Sequence, residues 1–242
     1  MRRLYSSTRG AWLAGLAGVS LLLGAAMPAQ AALVQGLTAY WPFEGSFEDA
    51  AGSFDGEAQG TAAIPFVPGN TGFGQAISLD GEDQYVLIPN SHDDLSFAYD
   101  GASPDTGNMT VSVWVRVDAW DTSWQAIVAH GEGDEWRLHR RGDSATRVGF
   151  TGGLGDTPDE GDYDVNDGEW HHIVATADSA NAVSELWVDG VMVATDDAGI
   201  QARADGNDVC IGENPDANGR QWEGQLDDVA LWNRVLTPAE IA

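Results

Sequence analysis

The feature that most constrains this chain is a strict alternation of apolar and polar residues with a period of two. In the segment Met109–Val117 every second residue, beginning with Met109, is apolar, and the residues between them are Thr110, Ser112, Trp114 and Arg116. Successive side chains of a strand point to opposite faces, so this segment predicts a β-strand with one face in a core. Beyond the first thirty-one residues no stretch shows a comparable helical stripe.

The rest of the chain repeats this pattern in short runs separated by Asp, Gly, Asn and Pro. Eleven further strands are predicted: Leu37–Phe43, Gln75–Leu79, Tyr85–Ile88, Gln125–His130, Glu135–His139, Val148–Thr151, Trp170–Ala177, Ser184–Val188, Val191–Thr195, Val209–Gly212 and Gly224–Asn233. Asp189-Gly190 predicts a two-residue hairpin turn. A dozen short strands predict an all-β fold, a two-sheet antiparallel jelly-roll sandwich. A short helical turn at the C-terminus is expected from Thr237 as N-cap, Pro238 after it and Glu240 closing a capping box.

The first thirty-one residues have the pattern of a secretory signal peptide. Arg2 and Arg3 give a basic start, an apolar run without acids ends near Met27, and Ala29-Gln30-Ala31 supplies the small residues of a cleavage site. We therefore expect residues 1–31 to be a bacterial export signal and residues 32–242 to form the exported domain. This predicts a secreted, cell-surface or periplasmic protein with no membrane span after cleavage.

Charge excludes one large class of partners. The chain has 38 Asp and Glu against 11 basic residues, all of them Arg, and a formal net charge of −27. Since three of those Arg precede residue 32, the remaining domain carries 8 Arg against 38 acids, a charge of −30. A nucleic-acid partner is excluded, because neutralising phosphates requires a basic surface. The lone cysteine, Cys210, permits no intrachain disulfide, so a metal ion is a candidate for fixing the long loops.

Five ordered stretches resemble the laminin-G-like domains of the concanavalin A-like lectin/glucanase superfamily, as found in bacterial secreted proteins. They cover nearly all of residues 37–242: Leu37–Gly45 with Glu48–Gly52; Gly74–Gly81 with Tyr85–Pro89; Met109–Val117; Gly168–Ala175 with Leu186–Val191; and Gly224–Glu240. The resemblance implies a jelly-roll with a concave and a convex sheet. It also implies a non-enzymatic binding role and, often, a structural Ca²⁺ where the first loop meets the last strand.

Two adjacent acids, Asp227 and Asp228, stand in an otherwise apolar strand. Buried carboxylates must be paired, protonated or metal-bound, and Ca²⁺ takes carboxylate oxygens from separate segments. The alternative is hydrogen bonding to backbone amides and to an Arg such as Arg234. The resemblance implies metal ligation by Asp227 first and then by Asp49 of the first loop. Less certain ligands by the same resemblance are Asp228, Asp80 and Glu44.

A hydrolase is disfavoured. The glucanase constellation places alternating Glu, Asp and Glu on one strand, and the nearest stretch, Glu132-Gly-Asp134-Glu135, does not have that spacing. There is no Gly-x-Ser-x-Gly nucleophile elbow. His171 and His172 are adjacent on a predicted strand, so their rings face opposite sides and are not expected to share one ion.

Trp114, Trp124 and Trp136 are the candidate ligand-binding residues. Aromatic faces stack on the apolar faces of sugar rings, although an aromatic residue in a sandwich is more often part of the core. Trp124 and Trp136 lie nearest to predicted loops, where binding residues concentrate. The sequence thus favours a secreted, non-catalytic, lectin-like module that binds a polysaccharide or cell-surface glycan. An adhesive or structural domain that contacts extracellular proteins is the alternative.

Overall fold

The computed structural model of the protein describes residues 33–103, 106–152, 156–157, 161–197 and 206–242. In these ranges the strands are β1 (Leu37–Trp41), β2 (Glu57–Gln59), β3 (Phe66–Pro68), β4 (Gln75–Asp80), β5 (Tyr85–Ile88), β6 (Met109–Ala119), β7 (Ala126–Ala129), β8 (Trp136–Arg140), β9 (Val148–Gly152), β10 (His171–Asp178), β11 (Val183–Val188), β12 (Val191–Asp196), β13 (Val209–Ile211) and β14 (Glu223–Trp232). A short helix, α1 (Pro238–Ile241), follows β14. The predicted signal peptide lies outside the described residues.

The strands form two antiparallel sheets. The larger has eight strands in the order β12-β11-β10-β6-β14-β4-β3, with β1 also pairing with β14. The smaller has six strands in the order β2-β5-β13-β7-β8-β9. Neighbours in each sheet are often distant in sequence, as in a jelly roll. The prediction of an all-β two-sheet sandwich is confirmed.

The core lies between the sheets and is built by the alternation seen in the sequence. The apolar residues of β6 from Met109 to Val117 all belong to the buried cluster, together with Leu138 of β8 from the other sheet. Their intervening neighbours on β6 point away from this core. Side chains on one face of a strand pack together while the other face is left for solvent or a ligand.

The turn and cap signals of the sequence are also confirmed. Asp189 and Gly190 both have positive φ, and they join Val188 to its pairing partner Val191, as a type I′ hairpin requires. At α1 the Thr237 backbone N–H donates to the Glu240 carboxylate at 2.8 Å. Two strands were not predicted, β2 and β3, because three-residue edge segments are too short to show an alternation.

Candidate functional site

The outer face of the six-stranded sheet carries an unusual set of polar side chains. Arg137 and His139 of β8 are on opposite sides from Leu138, which packs in the core, so they point outward. Their cross-strand neighbours are small: Arg137 pairs with Ala129, and His139 pairs with Gly149. Both side chains are buried, with Arg137 7% exposed and His139 0% exposed, so neighbouring segments cover them on this face.

Both ring nitrogens of His139 lie beside an oxygen acceptor, of which a neutral imidazole can donate to one at a time. Its Nδ1 lies 2.6 Å from the carbonyl oxygen of Arg140, and its Nε2 lies 3.1 Å from Oδ1 of Asp156. Burial holds the pKa of His139 below its ordinary value, and the Asp156 carboxylate opposes this effect. The imidazole is therefore fixed in place on this face by β8 and by the segment that follows β9.

Asp156 is the centre of a charged network. Thr151 donates its hydroxyl to Asp156, and the guanidinium groups of Arg137 and Arg141 each lie 3.4 Å from one of its oxygens. Burial alone would raise the pKa of Asp156, but hydrogen bonds from His139 and Thr151 and the positive charge of Arg137 lower it well below its usual range. The side chain is thus an anion at neutral pH.

Arg137 is the least satisfied member of this network. The residue is 7% exposed, and its Nε and Nη1 atoms have no hydrogen-bond partner among the described residues. Only Nη2 donates, to Asp156, while Nε lies 3.7 Å from a carboxylate oxygen of Glu132. Buried N–H groups without acceptors are costly, so this side chain has unused capacity to donate.

A second carboxylate, Glu132, completes the cluster. Arg220 donates to Oε1 of Glu132, and Asn214 donates to the same oxygen at 2.8 Å. Glu132 lies in the β7–β8 turn between Gly131 and Gly133, and its side chain is 26% exposed. We call Arg137, Arg141, Arg220, Glu132 and Asp156 the arginine cluster.

Trp124 stands at the edge of the arginine cluster. Its ring centroid lies 5.2 Å from that of His139, and the guanidinium carbon of Arg141 lies 5.6 Å from its ring. Trp124 has a positive φ of 62° and is partly exposed. The sequence-predicted ligand residue Trp124 therefore adjoins polar groups on the outer face of the smaller sheet.

The other two tryptophans predicted to bind a ligand lie elsewhere. Trp136 is fully buried between the sheets, where its indole N–H donates to the Leu95 carbonyl at 2.8 Å. Trp114 lies on the outer face of the larger sheet, with ring centroids 5.1 Å from Phe73 and 5.0 Å from His172. The three rings do not share one surface.

Asp227 and Asp228 are adjacent at a bulge in β14, where Asp228 has a positive φ of 49°. Asp227 is buried; its Oδ1 accepts the Asp228 amide at 2.8 Å, and its Oδ2 has no hydrogen-bond partner among the described residues. Burial, then Asp228 and Glu44, raises the pKa of Asp227 to about 8. Asp228 accepts from the Tyr40 hydroxyl, and burial followed by the Glu44 charge raises its pKa.

The remaining predicted metal ligands occupy separate turns. Asp49 accepts the backbone amides of Tyr40, Ala51 and Phe54 at 2.9 to 3.1 Å. Asp80 lies at the end of β4, where its Oδ1 accepts the amide of Glu82 at 3.0 Å. Both carboxylates are thus engaged with their local turns, and the structure does not bring them to Asp227.

The fit of a cation can be judged at Asp227. Its unpaired buried oxygen, with Asp228 and Glu44 close enough to shift its pKa, is an acidic oxygen set of the kind that a hard cation prefers. Within the described ranges, however, no three His, Cys, Asp or Glu side chains converge into a group that could hold a metal ion. Ligation by these carboxylates therefore stays a prediction.

The outer face of the larger sheet has a second, smaller apolar cluster. Trp187, Trp232 and Leu236 pack there with Ile241 of α1. Beside them lies a cavity of about 330 Å³, lined by Leu33, Val34, Leu37, Tyr40, Ser112, Asp228, Ala230 and Trp232. None of the described helices is long and apolar enough to cross a membrane.

The sequence reasoning did not identify Arg137, His139, Asp156 or Arg220 as functional, and it weighed Glu132 only as a catalytic acid. A signal for the cluster is present, because four of the eight Arg after residue 31 fall within residues 137–147 of a chain that has no Lys. The pairing of Arg220 and Asp156 with this stretch depends on tertiary contacts that spacing does not show.

Solved structures with this fold include carbohydrate-binding and receptor-binding domains. Domain 4 of AbnA, a GH43 extracellular arabinanase from Geobacillus stearothermophilus in complex with arabinotriose, is 20% identical with a TM-score of 0.64, and the match covers 85% of this chain and 96% of that one. Botulinum neurotoxin type C, in work on its interaction with two ganglioside molecules, is 11% identical with a TM-score of 0.60, over 88% of this chain and 51% of that one. The chain thus spans about half the length of the solved neurotoxin chain.

A mutant of Trypanosoma rangeli sialidase displaying trans-sialidase activity is also similar, at 16% identity and a TM-score of 0.55, over 86% of this chain and 32% of that one. At these identities the likeness shows the fold alone. Among curated proteins, no sequence matches the chain. The family model described as the concanavalin A-like lectin/glucanases superfamily matches residues 80–242, more than half of the chain. The chain therefore belongs to the concanavalin A-like lectin/glucanase superfamily.

Proposed function

We propose that this protein is an exported, non-catalytic carbohydrate-binding module that holds a glycan on the outer face of its six-stranded sheet. The observation that carries this proposal is the adjacency of Trp124 to the arginine cluster. An aromatic ring can stack on the apolar face of a sugar, and fixed donors beside it can bond the hydroxyl groups. The complex of a similar domain with arabinotriose supports a sugar as the ligand class.

The acids on this face are committed to other contacts, which supports binding rather than hydrolysis. A glycosidase needs one carboxyl group poised as an acid and another as a nucleophile or base across the scissile bond. Glu132 is held by Arg220 and Asn214. Glu135 is 2% exposed and lies 3.1 Å from His130. Neither carboxylate is presented to a substrate in this arrangement.

We further propose that Ca²⁺ stabilises the scaffold, at the place where the first loop meets the last strand. Asp227, Asp228 and Glu44 are the residues that would hold it. When bound, a divalent cation supplies the positive charge that neighbouring carboxylates otherwise lack. The unpaired Oδ2 of Asp227 is the observation that supports this site.

Export through residues 1–31 belongs to the same proposal. The basic start, apolar run and Ala29-Gln30-Ala31 site are those of a secretory signal. A glycan outside the cell is a ligand that an exported module can reach.

Affinity electrophoresis of the purified protein against a panel of soluble polysaccharides tests the binding proposal. At least one polymer should retard the native protein, and Trp124→Ala should lower the affinity about tenfold or more, as loss of a central aromatic contact does. Trp114→Ala is the matched comparison, because it removes a partly buried indole from the other sheet.

If no polysaccharide retards the native protein, the proposal fails. If Trp114→Ala weakens binding and Trp124→Ala does not, the glycan site is on the larger sheet and our assignment of the face is wrong. Thermal melting of both variants checks that each remains folded.

A further inference from the structure

The arginine cluster concentrates positive charge on an otherwise acidic protein. Residues 32–242 have 8 Arg against 38 acids, yet Arg137, Arg140, Arg141 and Arg147 lie on or beside β8 and β9, and Arg220 reaches the same place through Glu132. Arg140 and Arg147 lie over the rings of Trp120 and Tyr163, whereas Arg137, Arg141 and Arg220 are joined by shared carboxylates.

The charges within the cluster do not balance. The guanidinium groups of Arg137, Arg141 and Arg220 share two carboxylates, Glu132 and Asp156. A guanidinium remains charged at any physiological pH, so the excess cation cannot be removed by deprotonation. Counted over its five members, the cluster carries a net charge of +1, which one further anion would balance.

Arg137 shows where that anion would bind. It is more than nine-tenths buried, and two of its three nitrogen atoms have no acceptor among the described residues. A water, a hydroxyl or a carboxylate oxygen could accept from them, but only a carboxylate also compensates the positive charge of the guanidinium. The charge of the cluster therefore favours an anionic group over a neutral one.

Glu132 is the more exposed of the two carboxylates, with 26% of its side chain exposed against 17% for Asp156. It lies on a turn between two glycines, whereas Asp156 is fixed by Thr151 and His139. A carboxylate from a ligand can take the place of the Glu132 carboxylate against Arg137 and Arg220. The acidic surface around the cluster repels an anionic ligand, so the guanidinium groups must compensate the ligand's charge locally, and salt screens the repulsion from acids more than about 8 Å away at physiological ionic strength.

We propose that the glycan held at this face is acidic, a polysaccharide whose uronic-acid carboxylate binds Arg137 while a neighbouring sugar ring stacks on Trp124. This inference rests on the proposed function and names the class of its ligand. Arg137 is then the residue that determines specificity, and Glu132 is an internal competitor for the same donors.

The test compares polygalacturonate with the same polymer after its carboxyl groups have been reduced to alcohols, using isothermal titration calorimetry on the full exported protein. The native protein should bind polygalacturonate at least about tenfold more tightly than the reduced polymer, the loss expected for one charge-assisted contact. Arg137→Met should abolish this preference, and Glu132→Gln should increase the affinity for polygalacturonate by removing the competitor.

Arg116→Met is the matched control, because Arg116 is a partly exposed arginine on β6 of the other sheet, 3.6 Å from Asp118. It should leave both affinities unchanged. If Arg137→Met fails to fold, Arg137→Lys and Glu132→Gln decide instead: the lysine variant keeps charge but loses the planar donors and should retain only part of the preference.

Equal binding of the charged and the reduced polymer, with both sensitive to Trp124→Ala, would overturn this inference and leave the proposed function standing. Loss of binding in Arg116→Met equal to that in Arg137→Met would overturn it too, since the effect would then be general charge. Tighter binding of dextran sulfate than of polygalacturonate would also contradict a carboxylate ligand. Binding of no glycan at all would remove the proposed function itself.

Discussion

Asp227, in an otherwise apolar strand, has one carboxylate oxygen with no hydrogen-bond partner in the part of the chain that the structure describes. If Ca²⁺ binds there, chelation should destabilise the fold, because a ligand that binds only the native state stabilises it by about 2.7 kcal/mol at a hundredfold excess over its Kd. We expect EGTA to lower the melting temperature of the native protein and to have no effect on Asp227→Asn.

Asp118→Asn serves as the control for the chelation experiment, because Asp118 is an exposed acid of β6 that pairs with Arg116. Its melting temperature should fall with EGTA as far as that of the native protein. Identical melting of the native protein with and without EGTA would refute the Ca²⁺ proposal.

The protonation state of His171 can be followed through the pH dependence of the protein's stability. Burial opposes its charged form, but hydrogen bonds to Asp189 at 2.8 Å and Asp167 at 3.1 Å outweigh burial and raise the pKa of His171. The contribution of His171 to the free energy of unfolding is fully present below its unfolded-state pKa of about 6.5. It is lost as the pH rises through the higher pKa that His171 has in the folded state.

We therefore expect the native protein to lose melting temperature relative to His171→Asn as the pH is raised from about 6 to about 8.5. The measurement is the difference between the two melting curves at each pH, which cancels groups common to both proteins. A difference that is constant over this range would show that His171 is not stabilised by its two aspartates.

Burial is the property of single residues that the sequence predicted least well. Trp114, Trp124 and Trp136 have similar local patterns, yet one lies on the larger sheet, one beside the arginine cluster and one in the core. Alternation gives the two faces of a strand, but which face meets the other sheet, and which loop covers the outer face, depend on contacts between distant segments.

At the scale of elements, the β3–β4 hairpin and β14 are coupled through a glycine. A Cβ at Gly69 would overlap Oδ2 of Asp227, and the Gly69 amide donates to the Gly74 carbonyl at 2.9 Å. Only a residue without a side chain allows the hairpin to lie this close to the buried carboxylate.

Gly69→Ala should therefore destabilise the protein by about 1–3 kcal/mol, the usual cost of overpacking. In an Asp227→Ala background the same change should cost less, since the clashing oxygen is gone. Urea unfolding of the two single variants and the double variant measures this coupling as a double-mutant cycle. If the two substitutions change the free energy of unfolding additively, Gly69 and Asp227 do not interact.

Local signals predicted the elements themselves well where they are long or have distinctive turns. The alternation of β6, the Asp189-Gly190 turn and the Thr237 cap are all present. Each is determined by neighbours in sequence, which is why they could be read without a structure. The bulge at Asp227 and Asp228 could not be predicted from the sequence, because it arises from the register of β14 against β6.

For the whole molecule, the charge of −30 on residues 32–242 implies self-repulsion that salt should relieve. The screening length falls from about 10 Å in 0.1 M salt to about 3 Å in 1 M. We expect the melting temperature to rise steadily between about 0.05 M and 1 M NaCl, as scanning calorimetry would show. Sorbitol at matched osmolality controls for general solute effects, and a melting temperature that falls with NaCl would contradict the repulsion.

The pairing of β1 with β14 has a mechanical consequence. The strands are antiparallel, and Leu37, where β1 begins, is opposite Trp232, where β14 ends. Force applied through the segments before Leu37 and after Trp232 would load one end of this ladder, so its hydrogen bonds would break one after another rather than together. A module tethered through both segments would peel open from the β1 edge under modest tension, while the six-stranded sheet with the arginine cluster would stay clear of the line of force.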